Sequence, residues 1–468
     1  MKEHSAKVKQ PSAIDHKAVL NTHKASVPRY TSYPTAPQFQ AGAGPVLMNR
    51  MLRDLPASDP VSVYIHIPFC DRLCWFCGCH TRHTLKYAPI KGYLAYLSQE
   101  IQLLSQQLPF KPRLKSLHLG GGSPSLLKQQ DMADLRADLA ATFQFEPDTE
   151  ISIEIDPSDA NDEMYVGLLA LGVTRASIGV QDFHPDVQAA INRPQSFEQT
   201  QKVVQRLRQI GIGSINVDAL YGLPLQSTDR LRDTLSKCIA LEADRMALFG
   251  YAHIPWFKKH QRLIKEADLP DNLMRFEQAE MAGRYLQDAG YHAIGIDHFA
   301  KPHDTLSRAA QNGNLHRNFQ GYTTDNCKTL FGLGASSIGR FEGGYVQNLV
   351  ATGQYKDCVA NGRLPTDKGV ELSVDDKIRA HIIERLMCDF RICFTALEQH
   401  FSGKEEEHLL QGYRREATKL AAQDQFGLCE FSDNALSIPR EARSFTRIVA
   451  SSFDAYYHRE TAQYSKAV

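Results

Sequence analysis

Residues 61–79 read VSVYIHIPFCDRLCWFCGC. The first seven form a short β-branched and apolar run of strand length, and the chain passes from them directly into Cys70, Cys74, Cys77 and Cys79. Four cysteines within ten residues of an irregular loop are not ordinary core residues. Three thiolates at x3 and x2 spacing can wrap one corner of an iron–sulfur cube. A tetrahedral zinc site usually draws two ligands from one loop and two from elsewhere, and the chain has no second cysteine pair of that kind. A zinc knuckle and reduced structural thiols are the competing readings. Cys79 could be a ligand or a neighbour of the site.

Beyond this loop a βα rhythm sets in. Strands are predicted at 61–67, 115–121, 150–156, 175–181, 214–222 and 244–252, with helical spacing at 91–107, 127–143, 160–170, 196–210 and 228–241. Repeated βα units imply a parallel sheet, and 292–300 (HAIGIDHFA) is predicted to extend it. Successive strand ends carry glycines or polar groups: the cysteine loop, Gly120-Gly121-Gly122-Ser123-Pro124, Glu154 with Asp156, Gln181 with Asp182, Asn216 with Asp218, and Tyr251-Ala252-His253. A parallel barrel collects its site at the C-terminal ends of its strands. One polar strand end is more often a turn than a site, but six together favour one shared site.

Side chains alternate along a strand, so Tyr64 and His66 face one way and Ile65 and Ile67 the other. His66 fits a satisfied core histidine as well as a proton-handling group. The glycine run lets backbone amides approach a carboxylate, or simply makes a tight turn. Glu154, Gln181 and Asp218 offer acceptors for an ammonium and for ribose hydroxyls. Arg193 could meet a carboxylate or form a surface ion pair.

The chain has 468 residues, more than one ordinary domain. Lys and Arg balance Asp and Glu, 53 against 53, so no global basic field draws nucleic acid or anionic lipid. The polar start MKEHSAKVKQ has no signal-peptide core, and no apolar run reaches membrane-spanning length, which predicts neither export nor membrane insertion. Cys238, Cys327, Cys358, Cys388, Cys393 and Cys429 are scattered and read as buried or indifferent thiols, which fits a reducing cytoplasm. Residues 1 to about 45 read as an irregular arm. Its segment PRYTSYPT (28–35) has a composition suited to contacting a ligand. From about 365 the βα rhythm stops and helical spacing at 374–390 and 405–423 predicts a small, mostly helical domain, with Met387 and Phe390 in its core. HRNFQGYTT (316–324) is dense in basic, aromatic and amide residues and reads as a pocket-lining loop.

The x3-x2 cysteine spacing resembles the signature of radical S-adenosylmethionine (SAM) enzymes. Over nearly the whole chain the sequence further resembles the oxygen-independent coproporphyrinogen III oxidases of heme biosynthesis. The likeness is carried by PRYTSYPT, YIHIPFC…LCWFCGC, GGGSPS, SIEIDP, GVQDF…INR, VDALYGLP, YAH, IDHFA and HRNFQGYTT. The turn reads Ser123-Pro124-Ser125 where Thr-Pro-Thr is common, which keeps the hydroxyls.

The resemblance implies an α/β fold: an open parallel (β/α)6-type barrel with an arm at 1–54, a catalytic domain at 55–345 (core about 55–290) and a mostly helical domain at 346–468. It implies that Cys70, Cys74 and Cys77 ligate a [4Fe-4S] cluster whose fourth iron stays open for SAM. Cys79 is then a non-ligand associated with activity, beside Tyr64 and His66. By matching motif, Tyr64, Phe76, Gly121, Gly122, Ser123, Glu154, Gln181, Arg193, Asp218, Ala252 and Ile338 are the SAM-binding positions, and two SAM molecules are implied.

The implied reaction converts two propionates of coproporphyrinogen III to the vinyl groups of protoporphyrinogen IX. An electron from a low-potential donor cleaves SAM, the resulting radical takes a hydrogen from the propionate, carbon dioxide leaves, and one electron is passed on. Arg29, His316 and Arg317 are candidates for the substrate carboxylates. A monomer is expected. Two relatives from the same superfamily are the alternatives, a heme chaperone and a heme-methylating, ring-opening enzyme. Chaperone members typically lack the cysteine matching Cys79 and the PRYTSYP arm, and both are present here.

Overall fold

Val61–Ile67 forms a strand with the bounds its alternation predicts (β1), and five more follow it in the sheet: β2 Arg113–Gly121, β3 Gln144–Ile155, β4 Arg175–Gln181, β5 Ser214–Tyr221 and β6 Arg245–Gly250. In this computed structural model, which describes residues 14–22 and 27–457, every neighbouring pair in that series is parallel. Parallel neighbours need crossovers, supplied here by α1 Ala88–Gln107, α2 Gln129–Thr142, α3 Asp162–Leu171, α4 Phe197–Gln209 and α5 Thr228–Ala240.

The starts of α3, α4 and α5 follow local chemistry. Asn161, Ser196 and Ser227 accept the N–H of Met164, Gln199 and Arg230, satisfying amides that the first helical turn leaves without a partner. Gly172 ends α3 in the left-handed region at φ 85°.

The alternation in each strand decides what faces the helices. Val63, Ile65 and Ile67 of β1 join Leu117 and Leu119, Ile151 and Ile153, Ile178 and Val180, Val217, and Leu248 in one apolar core. Leu97, Ile101 and Leu104 of α1 and Leu135 and Leu139 of α2 close it from outside. Ile65 and Ile67 have no exposed surface, and burying each contributes about 1.5–3 kcal/mol. The other face of β1 to β5 carries polar side chains, among them Tyr64 and His66, His118, Ser152 and Glu154, Ser177, and Asn216 and Asp218.

The sheet continues past both ends of this series. On one side Thr329–Leu333 runs parallel to β1, followed by Ile338–Phe341, Gly344–Asn348, Thr366–Glu371 and Gln40–Ala41, all antiparallel. On the other side 292–300 does not form the single strand predicted for it. It is a hairpin, His292–Ile294 and His298–Ala300, whose second strand pairs antiparallel with β6. The chain reverses at Gly295, where φ is 56° and a Cβ would come within 1.9 Å of the Tyr322 ring.

Contacts divide the chain into two compact units: residues 34–316 with 322–372, and residues 14–22 and 27–33 with 317–321 and 373–457. The second unit is mostly helical, as predicted, with Val374–Asp389 and Lys404–Gln423 its longest helices and a small antiparallel sheet of Arg391–Cys393, Ala435–Ser437 and Glu430–Ser432. Met387 and Phe390 are buried in it.

The N-terminal arm is less irregular than expected, since His16–Thr22 and Gly44–Arg53 are helices. Tyr30 and Tyr33 are buried structural residues of the helical unit. The Tyr30 hydroxyl donates to Asp454 at 3.1 Å, and the Tyr33 hydroxyl accepts the Ala455 N–H at 3.0 Å. The expectation drawn from MKEHSAKVKQ concerns residues outside those described. Among the described residues no helix is long and apolar enough to cross a membrane.

Candidate functional site

The polar face of the parallel sheet carries a continuous belt. It begins on β1, where Tyr64 and His66 point away from the apolar core and lie 3.0 Å apart, hydroxyl to Nδ1. The Tyr64 ring stacks on His118 of β2 at 5.9 Å between centroids, because Tyr64 and His118 are register partners. His118 meets the Ser152 hydroxyl at 2.6 Å and Glu154 at 3.4 Å, both on β3. Ser177 of β4 donates to Asp218 of β5 at 2.8 Å, and Asn216 donates to both.

Burial sets the charge states along this belt. It drives His66 down to about 4, so its imidazole is neutral near pH 7. Its Nε2 lies 2.8 Å from the His80 carbonyl, which cannot donate. Nε2 therefore carries the hydrogen, and Nδ1 accepts from Tyr64. Both ring nitrogens of His66 are thereby satisfied. Burial also lifts Asp218 to about 6. Burial would raise Glu154 as well, but the hydrogen bond and charge of His118 and the Gly121 amide outweigh it and hold the carboxyl below its ordinary range. The Glu154 side chain is 41% exposed.

The glycine turn at the end of β2 is sterically fixed. Gly121 has φ 107°, and a Cβ there would meet the His66 ring at 2.3 Å. A Cβ on Gly122 would meet the Phe69 carbonyl oxygen at 2.5 Å. The Gly121 N–H reaches Glu154 at 3.0 Å, and the N–H groups of Gly122 and Ser123 reach the carbonyls of Ile67 and Phe69. The turn thus lies directly against the entry to the cysteine loop. Gln181, at the end of β4, sits at φ 68°, a strained conformation for a non-glycine residue, beside a register shift in its pairing with β5.

The four cysteines differ in environment. Burial raises Cys70 to about 12 against a lowering hydrogen bond from Ser123, and burial also raises Cys74. Cys77 goes the other way, to about 7, because the Cys79 thiol hydrogen-bonds to it. The Cys79 N–H points at the same sulfur, 3.4 Å away. Hydrogen bonding and the charge of Cys77 keep Cys79 a thiol. Among the described residues no three His, Cys, Asp or Glu side chains are placed around a single metal ion; in a cluster each cysteine binds its own iron. The donor set, three thiols on one loop, fits that group.

Arg193 is not a surface ion pair. It is 8% exposed, and its Nη1 binds Asp156 at 2.8 Å and approaches Cys74 Sγ at 3.5 Å, while Nη2 donates to the Gly179 carbonyl at 2.7 Å. Its Nε is buried with no hydrogen-bond partner among the described residues. Phe76 and Ala252 are brought together, since both carbonyls accept from the Gln261 side chain, at 2.9 and 3.1 Å. Ile338 lies two strands from Tyr64: Gly332 is the register partner of Tyr64, and a Cβ on Gly332 would meet the Ile338 backbone at 2.6 Å.

The three residues expected to meet substrate carboxylates are not part of this belt as described. Arg29 and Arg317 belong to the helical unit, where Arg317 is 7% exposed, donates its N–H to Glu384 at 3.2 Å and reaches the Arg29 carbonyl at 3.4 Å. His316 is half-buried at the start of the strand His316–Asn318. Sequence reasoning missed His118, Ser152, Ser177 and the Asp156 partner of Arg193. The only available signal was their place on the same alternation as Tyr64.

Comparison with known proteins agrees with this geometry. A profile of the Radical SAM superfamily matches residues 64–238. A protein of Cereibacter sphaeroides named oxygen-independent coproporphyrinogen III oxidase is 43% identical over 96% of this chain and 98% of its own. A protein of that name from Pseudomonas aeruginosa is 37% identical, over 94% and 95%. The solved coproporphyrinogen III oxidase HemN of Escherichia coli, described as a radical SAM enzyme, matches with a TM-score of 0.87 at 36% identity, covering 95% of this chain and 100% of that one.

Proposed function

This chain belongs to the oxygen-independent coproporphyrinogen III oxidases, a radical SAM family, and from that premise we propose how its own residues carry the oxidation of coproporphyrinogen III in heme biosynthesis. Cys70, Cys74 and Cys77 hold the cluster. Tyr64, Phe76, Gly121, Gly122, Ser123, Glu154, Gln181, Arg193, Asp218, Ala252 and Ile338 hold SAM along the polar belt, in two copies. When bound, the [4Fe-4S] cluster and SAM supply the one-electron cleavage chemistry that takes a hydrogen from a substrate propionate.

The single observation that carries this reading is that five adjacent parallel strands turn one polar face toward the loop with three cysteines at x3-x2 spacing. The residues divide the work by charge. Glu154 and Asp218 supply acceptors for an ammonium or a ribose hydroxyl, and Arg193 supplies the buried donor for a carboxylate. Neutral His66 fixes the Tyr64 hydroxyl. Cys79, whose N–H lies 3.4 Å from Cys77 Sγ, is the non-ligand cysteine associated with activity. Arg29, His316 and Arg317 are proposed to meet the substrate carboxylates.

Anaerobic turnover with a low-potential reductant, SAM and coproporphyrinogen III tests the reading. Two carbon dioxide molecules and one protoporphyrinogen IX per substrate are expected, read as porphyrin fluorescence after oxidation. Equilibrium dialysis should count two SAM per chain. Cleavage of SAM with the substrate left intact would refute the assignment.

A further inference from the structure

After β6 the chain turns back on the cysteine loop, and three side chains within four residues grip it. Lys258 Nζ donates to the Cys79 carbonyl at 2.9 Å. His260 Nε2 lies 2.8 Å from the Cys77 carbonyl and donates to it. Gln261 donates to the Phe76 carbonyl at 2.9 Å and to Ala252 at 3.1 Å, while its own oxygen accepts the Ile254 N–H at 2.6 Å. Gln261 has no exposed surface, so these bonds are made away from water, where losing one costs most.

We propose that Lys258, His260 and Gln261 form a clamp that positions the cluster-binding loop against the end of β6, and that the Lys258 ammonium raises the reduction potential of the cluster. Two features separate this clamp from ordinary loop packing. Its three donors all end on carbonyls of the 76–79 stretch, which contains one of the proposed ligands and the proposed non-ligand cysteine. One donor also carries a full positive charge, held 2.9 Å from the carbonyl of Cys79, two residues past Cys77. The neighbouring Lys259 is exposed, whereas Lys258 is half-buried, with its ammonium 5.3 Å from the Phe257 ring centroid.

Reduction adds one negative charge to a cluster that three thiolates already make anionic. A fixed cation nearby stabilises the reduced form more than the oxidised one, and charge and hydrogen bonding around the sulfurs are what set such potentials. Gln261 acts by geometry. A single side chain ties Phe76 and Ala252, so the loop that holds the cluster and the strand end proposed to hold SAM keep one spacing. These are positioning residues; none is placed against substrate.

The inference rests on the reading of Cys70, Cys74 and Cys77 as ligands. Parent protein that reconstitutes no cluster would refute that reading; a loaded parent with indistinguishable variants would refute the clamp alone. The experiment uses the anaerobically reconstituted full chain carrying Lys258→Met, Lys258→Arg or Gln261→Met, with iron and sulfide per chain and an EPR-monitored redox titration as readouts.

Lys258→Met should keep its cluster while the reduction equilibrium constant falls about tenfold, a shift of ~59 mV to more negative potential for one electron. Lys258→Arg should return most of that shift. Gln261→Met should lose cluster several-fold faster on gel filtration. A Lys258→Met midpoint equal to the parent's overturns the electrostatic role, and parent-like retention in Gln261→Met overturns the clamp. If Lys258→Met does not fold, Lys258→Gln removes the same charge and is read by the same titration.

Discussion

Arg193 and Asp156 form an ion pair at 2.8 Å with side chains only 9% and 7% exposed. Removing one partner of a buried pair leaves the other charge uncompensated, which costs about 3–5 kcal/mol, whereas removing both can be nearly neutral. Arg193→Met should therefore lose about that much stability in urea denaturation, and Arg193→Met with Asp156→Leu should recover most of it. Neither protein should bind SAM well, because the Nε donor is gone from both. Full SAM affinity in the double variant would remove Arg193 from the cofactor site.

The proposed division of the four cysteines into three ligands and one non-ligand is testable one sulfur at a time. Serine at Cys70, Cys74 or Cys77 should abolish the cluster on anaerobic reconstitution, read as iron, sulfide and the visible spectrum. Serine at Cys79 should keep the cluster and lose product formation. Loss of the cluster in Cys79→Ser with retention in Cys74→Ser would reverse the assignment. Loading should also release protons, since Cys70 and Cys74 are held as thiols before metal arrives.

Glu100 on α1 is fully surrounded by protein and accepts from Tyr355 at 2.6 Å, the Gly334 N–H at 2.8 Å and Asn348 at 2.7 Å. Burial outweighs these bonds and lifts it from 4.5 to about 7. The folded state thus holds this proton more tightly than the unfolded chain. The contribution is fully present below about pH 4.5 and is lost as pH rises toward about 7. Glu100→Gln should remove roughly 2–4 kcal/mol of pH-dependent stability across that window, seen as a flatter difference curve in urea titrations at stepped pH. A curve parallel to the parent's would show that Glu100 ionises normally.

What the sequence could reveal follows the range of the interaction involved. The alternation Val61–Ile67 is local, and it returned both the bounds of β1 and the face carrying Tyr64 and His66. The polar strand ends were legible for the same reason. Register was not: nothing within either strand says that Tyr64 lies opposite His118. The reversal at Gly295 was hidden inside an apolar run, because its cause is the Tyr322 ring packed where a Cβ would stand. The tyrosines of PRYTSYP looked ligand-facing because their partners, at Asp454 and Ala455, are 424 and 422 residues away. The clamp on the cysteine loop was invisible likewise, since Lys258 and Cys79 are separated by 179 residues.

Among the residues proposed to meet substrate carboxylates, Arg317 is the one to change first. A substrate with four carboxylates needs cations, and a carboxylate deprived of a buried partner loses roughly 2–5 kcal/mol. Arg317→Ala should raise the apparent substrate constant by at least tenfold and leave SAM affinity at the parent value. Arg317 also holds the Arg29 carbonyl and sits on Glu384 through its N–H, so a purely structural role predicts a different pair of results: a lower melting temperature with an unchanged substrate constant in the folded fraction. Arg317→Lys separates the two further. It keeps the charge but not the planar fork, so charge pairing with substrate should be partly retained while the carbonyl contact is weakened. Measuring melting temperature, SAM binding and porphyrin yield on the same three proteins distinguishes the roles. A collapse of SAM affinity in Arg317→Ala would instead assign this residue to the cofactor.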